Sequence, residues 1–418
     1  MPIRSMTLVL TNRCNLACRY CYQAVRQPRR MGDEVLRAAL DELLATDESN
    51  PMVTFTGGEP LLEYPRIRWA VKYLRRNARP DQHIHLSLLT NGTLLTPAIA
   101  DFLARHRVEV QLSFDGVASA QDLRGLGTFG ILDGVMIMLL ENHPEFFRHY
   151  FTVTVTVLPS TVPFLSDSFT YFLSRNVRRL TLTPVLTTSP GWWPGRITEL
   201  DRQFHRICER SLQHHDLTGD IPLLLLRPAS AEQNTAKVSA EQNTSTEFMD
   251  ICGALDRSFF TVDVDGQLYG CAAFTASTQP ASAGLLQDFQ RACRRGQLRA
   301  DSGLAKHDRQ MTPDSTVRAL LSQKNKYSSY GQCTDCAYSA RCSVCPLAIG
   351  SWDDNQDPQR VPDFICAFNS TVLKYRERFL ERACEWRTRL NSDLLLDQMR
   401  PWLERAAIFD PNGSWNTY

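Results

Sequence analysis

Cys14, Cys18 and Cys21 put three thiols within eight residues, directly after the first β-rich run of the chain. No other feature constrains the fold as much, because a loop with three close thiols must converge on bridge partners or on a metal group. The N-terminus, Met1 to Thr11, lacks the layout of an export signal, so the thiols are expected to stay reduced and to ligate metal. The chain has 13 cysteines, and their grouping supports that reading. Cys252, Cys271, Cys333, Cys336, Cys342, Cys345 and Cys366 form a second set, whereas Cys208, Cys293 and Cys384 stand apart and read as packing residues.

Between residue 5 and about residue 186, short β-rich runs alternate with amphipathic helical stretches, the pattern of successive βα units on a parallel sheet. The runs are Met6 to Leu10, Met52 to Phe55, Ile84 to Leu89, Val108 to Ser113, Thr152 to Leu158 and Leu180 to Val185. In such folds reactive residues gather at the C-terminal ends of the strands. The cysteine triplet follows the first run and Thr56-Gly57-Gly58-Glu59-Pro60 follows the second, so both belong at one mouth of the sheet.

A chain of 418 residues exceeds the usual single core. The expected division is a catalytic α/β domain over 1–226, a linker over 227–250, a cysteine-rich domain over 251–367 and a helical tail over 368–418. The linker repeats SAEQNT at Ser230 and again at Ser239. With 46 basic against 45 acidic residues the formal charge is +1, which supplies no electrostatic reason for a nucleic-acid or lipid partner. No apolar run reaches the roughly 20 residues needed to span a bilayer, and a cytoplasmic location is expected.

Three thiolates are informative as a number. Structural zinc takes four protein ligands, whereas an iron-sulfur cubane held by three keeps one iron open. The loop Cys14-Asn15-Leu16-Ala17-Cys18-Arg19-Tyr20-Cys21 resembles the signature of the radical S-adenosylmethionine (SAM) superfamily, and Gly57-Gly58-Glu59-Pro60 resembles its GGEP motif. The resemblance implies a partial parallel (β/α)6 barrel, a [4Fe-4S] cluster on Cys14, Cys18 and Cys21, and SAM bound at its open iron. It also implies close backbone approach at Gly57 and Gly58, with Pro60 completing the motif, and contact of Glu59 with the cofactor's ammonium. Ser113 would approach the ribose and Arg124 the carboxylate. Gln121-Asp122 stands where the family usually has His-Asp.

Cys333-x2-Cys336-x5-Cys342-x2-Cys345 would read in isolation as a zinc ribbon. Together with Cys252, Cys271 and Cys366 it resembles the superfamily's SPASM extension, which carries two auxiliary iron-sulfur clusters, expected as [4Fe-4S]. By motif, Cys333, Cys336, Cys342 and Cys366 would hold the outer cluster, and Cys252, Cys271 and Cys345 the inner one.

Relatives of this two-part build mostly modify peptides, so the resemblance implies a maturase that removes hydrogen from a residue of a ribosomally made precursor peptide. The expected product is an oxidative cross-link, a carbon-carbon cyclophane or an ether to an aromatic residue. One alternative is an anaerobic sulfatase maturase forming formylglycine; there an aspartate commonly follows the cysteine matched by Cys271, but Ala272 and Ala273 stand here, leaving Asp256, Asp263 or Asp265 as substitutes. Another is a noncatalytic iron-sulfur electron-transfer or scaffold protein. Electrons are expected from a flavodoxin or ferredoxin, since no flavin or nicotinamide fingerprint follows the strands. With the first run starting at Met6, no N-terminal leader-binding module is expected, and a separate recognition protein, the Cys271 to Cys333 insertion or the C-terminal helix would replace it.

Overall fold

Each of the six runs is a strand in the computed structural model, which describes residues 2–23, 28–187, 189–228, 254–276, 278, 284–299, 303–306, 315–323, 325–351 and 355–383. The strands are β1 (Ser5–Thr11), β2 (Met52–Gly57), β3 (His85–Thr90), β4 (Val108–Ser113), β5 (Phe151–Val157) and β6 (Leu180–Pro184). They pair in parallel in that order. Their composition explains the choice: β5 reads FTVTVTV, a run of β-branched residues that fits a pleated surface and is stiff at χ1. The crossovers are helices with one apolar stripe; Tyr64–Asn77 buries Ile67, Ala70, Val71 and Leu74 against the sheet. Helix Pro97–Arg105 starts cleanly because Thr96 accepts from the Ile99 amide at 3.4 Å and Pro97 needs no donor partner.

The sheet does not end at β1. Strand β7 (Phe259–Val262) adds to it in parallel, and β8 (Gln267–Tyr269), β9 (Arg294–Arg299) and β10 (Gly303–Lys306) continue antiparallel. The expected boundary at residue 251 is therefore no break in the sheet: the segment carrying the second cysteine set grows from the free edge of β1, whose backbone groups need a partner. Among the described residues β6 gains only an isolated bridge at the other edge, Leu180 to Leu223, and there the sheet is an open, partial barrel.

Residues 363–383 form a helix that docks on helix Ile197–Thr218 through Phe204 with Phe368 and Tyr375, and His215 with Phe379. The expected tail thus begins as a packed element of the core, with its first turn carrying Cys366. Most of the expected linker, Cys252, Cys384 and residues 384–418 lie outside the described residues. Cys208 and Cys293 are buried, as packing residues should be. Among the described residues no helix is long and apolar enough to cross a membrane.

Leu8 sits where the halves of the sheet meet, pairing Phe55 on one side and Val262 on the other, with its side chain fully buried. Leu8→Ala should cost about 2–5 kcal/mol, read as a lower urea midpoint; an unchanged midpoint would refute this central role.

Candidate functional site

At the C-terminal ends of the strands lies a cavity of about 840 Å³. Cys14, Cys18 and Cys21 line it together with Gly57, Gly58, Ser113 and Arg124, and Cys342 and Cys345 line it from the second cysteine set. A bulge at Leu10 precedes the triplet: Val9 pairs Thr56 and Thr11 pairs Gly57, leaving Leu10 to accept from the Met31 amide at 2.8 Å. Such an extra residue turns the strand end, here into the cysteine loop.

The GGEP segment meets that loop backbone to backbone. The amides of Gly58 and Glu59 donate to the carbonyls of Thr11 and Arg13 at 2.7 and 2.8 Å. A Cβ on Gly58 would stand 2.1 Å from the Arg13 carbonyl oxygen, and Gly57 has φ +141°, so only glycine fits either position. The close approach expected for a cofactor is thus made first to the chain itself.

Glu59 departs further from expectation. It is fully buried and does not line the cavity; its carboxylate accepts from Thr90 Oγ1 (2.7 Å), the Asn91 amide (2.7 Å) and the Leu61 amide (3.0 Å). Burial pushes its pKa up and these three donors pull it back. Its role in this structure is to lock the β2 loop to the β3 loop. Asn91 extends the lock to the triplet, donating to Asn15 at 2.9 Å and to Cys14 Sγ at 3.8 Å. Pro60, buried, opens the short turn behind Glu59.

Arg124 is held by Asp115, at 2.8 Å from Nη2 to Oδ1 and 3.3 Å from Nε to Oδ2. Its guanidinium lies 5.3 Å from the Tyr20 ring centre, and the Tyr20 hydroxyl donates to the same Asp115. Asp115 also accepts from the Thr156 amide at 2.9 Å. Burial works against the charge on Arg124, but Asp115 overrides it and holds its pKa above the ordinary value. Gln121 accepts from the Asp115 amide and donates to Thr128, both at 2.9 Å. Burial raises Cys18 to about 11 while Arg124 opposes the rise, so a cationic group beside the thiolates favours the ligating form.

The second cysteine set separates into two neighbourhoods. Cys333, Cys336, Cys342 and Cys366 act electrostatically on one another, whereas Cys345 is coupled to Cys271. Ser328 donates to Cys366 Sγ at 3.1 Å and Asn369 to Cys342 Sγ at 3.6 Å. Burial raises Cys342 and Cys345 to about 11, a cost that a ligated metal group would offset. Among the described residues no three His, Cys, Asp or Glu side chains converge on one ion position. A zinc ribbon would need four thiolates about 3.8 Å apart, and Cys345 sides with Cys271 rather than with the other three.

Residues 8–132 match the family model of the radical SAM superfamily. The N-terminal part of the chain belongs to that superfamily. The chain is 27% identical over 198 residues to the cysteine-type anaerobic sulfatase-maturating enzyme of Clostridium perfringens, covering 43% of this chain and 50% of that one. It is 27% identical over 280 residues to the mycofactocin maturase MftC of Mycobacterium tuberculosis, covering 64% and 63%. The chain therefore spans about half to three fifths of the length of these two curated relatives. A solved structure titled native anSMEcpe with bound AdoMet superposes with a TM-score of 0.64 at 19% identity, covering 91% of this chain and 99% of that one, a likeness of fold.

Several residues of this region carry tasks that the sequence motifs did not assign. Asp115 carries no signal beyond its place after a buried strand-end phenylalanine. Lys326 is another: its ammonium donates to the carbonyls of Ala319 (2.8 Å), Leu320 (3.0 Å) and Ser322, and its own carbonyl accepts from the Cys333 amide at 2.8 Å. Trp192 packs on Phe364 and donates to the Tyr330 hydroxyl at 3.1 Å, a packing anchor outside the cavity. Arg178 and Arg179 pair with Asp220 and Glu109 at the sheet edge.

Removing the partner of a buried charge costs more than the pair is worth. Asp115→Asn leaves Arg124 unpaired, and it should destabilise the chain by about 3–5 kcal/mol. Denaturant titration of both proteins checks this, and a shift under about 1 kcal/mol would place the pair among weak surface bridges.

Proposed function

We propose that this chain is a radical SAM peptide maturase, in which Cys14, Cys18 and Cys21 hold a [4Fe-4S] cluster with one open iron. The single observation that carries this reading is the shared cavity: the triplet faces the Cys342 and Cys345 loop across one space large enough for SAM and part of a peptide. The donor set fits, since three thiols sit in one loop beside a cationic guanidinium and under a glycine edge that admits no side chain. When bound, the cluster supplies one electron to the sulfonium of SAM, whose homolysis gives methionine and a 5'-deoxyadenosyl radical able to take hydrogen from carbon.

The chain's own residues bind and orient. Arg124, fixed by Asp115, is placed for a carboxylate such as that of SAM. Ser113 is placed for a ribose hydroxyl, and Gly57 and Gly58 present backbone. Cys333, Cys336, Cys342 and Cys366 would hold the outer auxiliary cluster, and Cys271 and Cys345, with Cys252, the inner one. Closing a cross-link onto an aromatic ring after hydrogen removal requires the substrate to lose one further electron and one proton. An inner auxiliary cluster held by Cys252, Cys271 and Cys345 would supply an acceptor for that electron, and a flavodoxin or ferredoxin would supply the first. A cytoplasmic setting suits such oxygen-sensitive thiolate groups.

One observation favours this reading over formylglycine formation. Among the described residues no aspartate or glutamate lines the cavity. Asp256 caps Ser258, accepting from its amide at 2.8 Å, Asp265 pairs with Arg29, and Asp263 is buried away from the cavity wall. The structure titled with bound AdoMet supports the cofactor, and the maturating enzyme and the maturase among the relatives support a role in maturation.

Replacing Cys14, Cys18 and Cys21 together by alanine should abolish reductive cleavage of SAM to 5'-deoxyadenosine in anaerobically reconstituted protein. Cleavage that survives the triple change refutes the assignment, and its absence from the reconstituted wild type favours a scaffold. With a precursor peptide encoded beside the chain, mass spectrometry should show loss of two hydrogens without an aldehyde; a formylglycine product would decide for the alternative.

A further inference from the structure

Part of the cavity wall has no task in the chemistry above. Besides Arg124, three arginines line it: Arg227, Arg341 and Arg376. Arg124 is neutralised by Asp115 and Arg341 by Glu377. Arg227 and Arg376 form no ion pair among the described residues; Asp220, which acts on Arg227 electrostatically, is itself paired with Arg178.

Both side chains are held in place by backbone carbonyls. Arg227 donates from Nε to the Ile221 carbonyl at 2.8 Å and from Nη2 to the Arg178 carbonyl at 3.0 Å. Arg376 donates from Nη2 to the Arg227 carbonyl at 3.0 Å, and its Nε is buried with no hydrogen-bond partner among the described residues. A buried donor left unmade is costly, and so is a guanidinium in apolar surroundings without a counter-charge. An anion received by both would offset both costs. The surroundings are apolar: Leu224 and Leu225 lead into Arg227, while Val372 and Leu373 precede Arg376 by one helical turn. Low local polarity strengthens a charge-assisted bond to a carboxylate.

We propose that Arg227 and Arg376 form a carboxylate subsite that selects peptides carrying an acidic group next to an apolar residue. The acid is an Asp or Glu side chain or a free C-terminus, and the inference rests on the peptide-maturase reading of the same cavity.

The test uses the full chain, reconstituted with iron and sulfide and loaded with SAM without reductant. It is incubated with N-acetylated random hexapeptides as two pools, one amidated at the C-terminus and one free, and the retained peptides are sequenced by mass spectrometry. Enrichment of Asp or Glu from the amidated pool by about tenfold assigns the subsite to a side chain, and about tenfold retention of the free pool over the amidated one assigns it to a C-terminus. Arg376→Gln should lose that preference and Arg376→Lys should keep it. No preference in the wild type, or an equal preference in Arg376→Gln, overturns the proposal. So does a Gln variant that weakens SAM binding while leaving peptide selection intact, which would give the site to the cofactor. Should Arg376→Gln fail to fold, a retained peptide remade with an amide in place of its acid decides on the wild-type chain, where equal binding overturns the proposal. Cleavage of SAM to 5'-deoxyadenosine is measured separately: cleavage without acid selection removes the subsite alone, and acid selection without cleavage removes the maturase reading alone.

Discussion

Asp115 holds the mouth of the sheet together. Its carboxylate, almost wholly buried, receives the Arg124 guanidinium, the Tyr20 hydroxyl and the Thr156 amide, which binds the cysteine loop to the ends of β4 and β5. Burying such a charge is expensive, and it is tolerated only where nearly every lone pair finds a donor. Glu59 solves the same problem between β2 and β3. Two carboxylates that point into protein, each saturated by donors from a different strand end, turn four separate loops into one surface on which three thiols have fixed positions.

Much of this was legible in the sequence because local rules sufficed. The strands of the parallel half announce themselves through β-branched runs, and the helices through their apolar stripe. The site loops were placed correctly at the strand ends because βα topology leaves them nowhere else to go. Strands β7 to β10 were not foreseen. They are short, and β9 reads RRGQLR, a polar string whose β conformation comes from pairing with its neighbour and not from propensity.

Residue roles were less legible than residue positions. Glu59 was expected to face a ligand, and its carboxylate accepts from Thr90, Asn91 and Leu61, partners fixed only once β3 lies beside β2. Gln121 looked like a departure from a family pattern; in place it performs a defined task, accepting from the Asp115 amide and tying Thr128 at the start of the next helix. The cationic wall was invisible because Arg227, Arg341 and Arg376 come from three distant segments, and a near-neutral overall charge hides a cavity lined with one sign.

Strand β1 links the two cysteine sets. It is central, with Leu8 paired to Phe55 on one neighbour and to Val262 on the other, and the chain runs from Thr11 to Cys14 in three steps. On the other flank nine residues lead from Val262 to Cys271, through the turn at Gly266 and the short strand β8. Neither path is long enough to wander. The parallel pairing of β7 with β1 and the antiparallel return of β8 therefore tie the segment that carries Cys271 to the strand that leads into the triplet. A change in the pairing of β7 with β1 would shift one cysteine group against the other while leaving each loop intact, so the spacing of the two candidate redox centres is a property of the sheet.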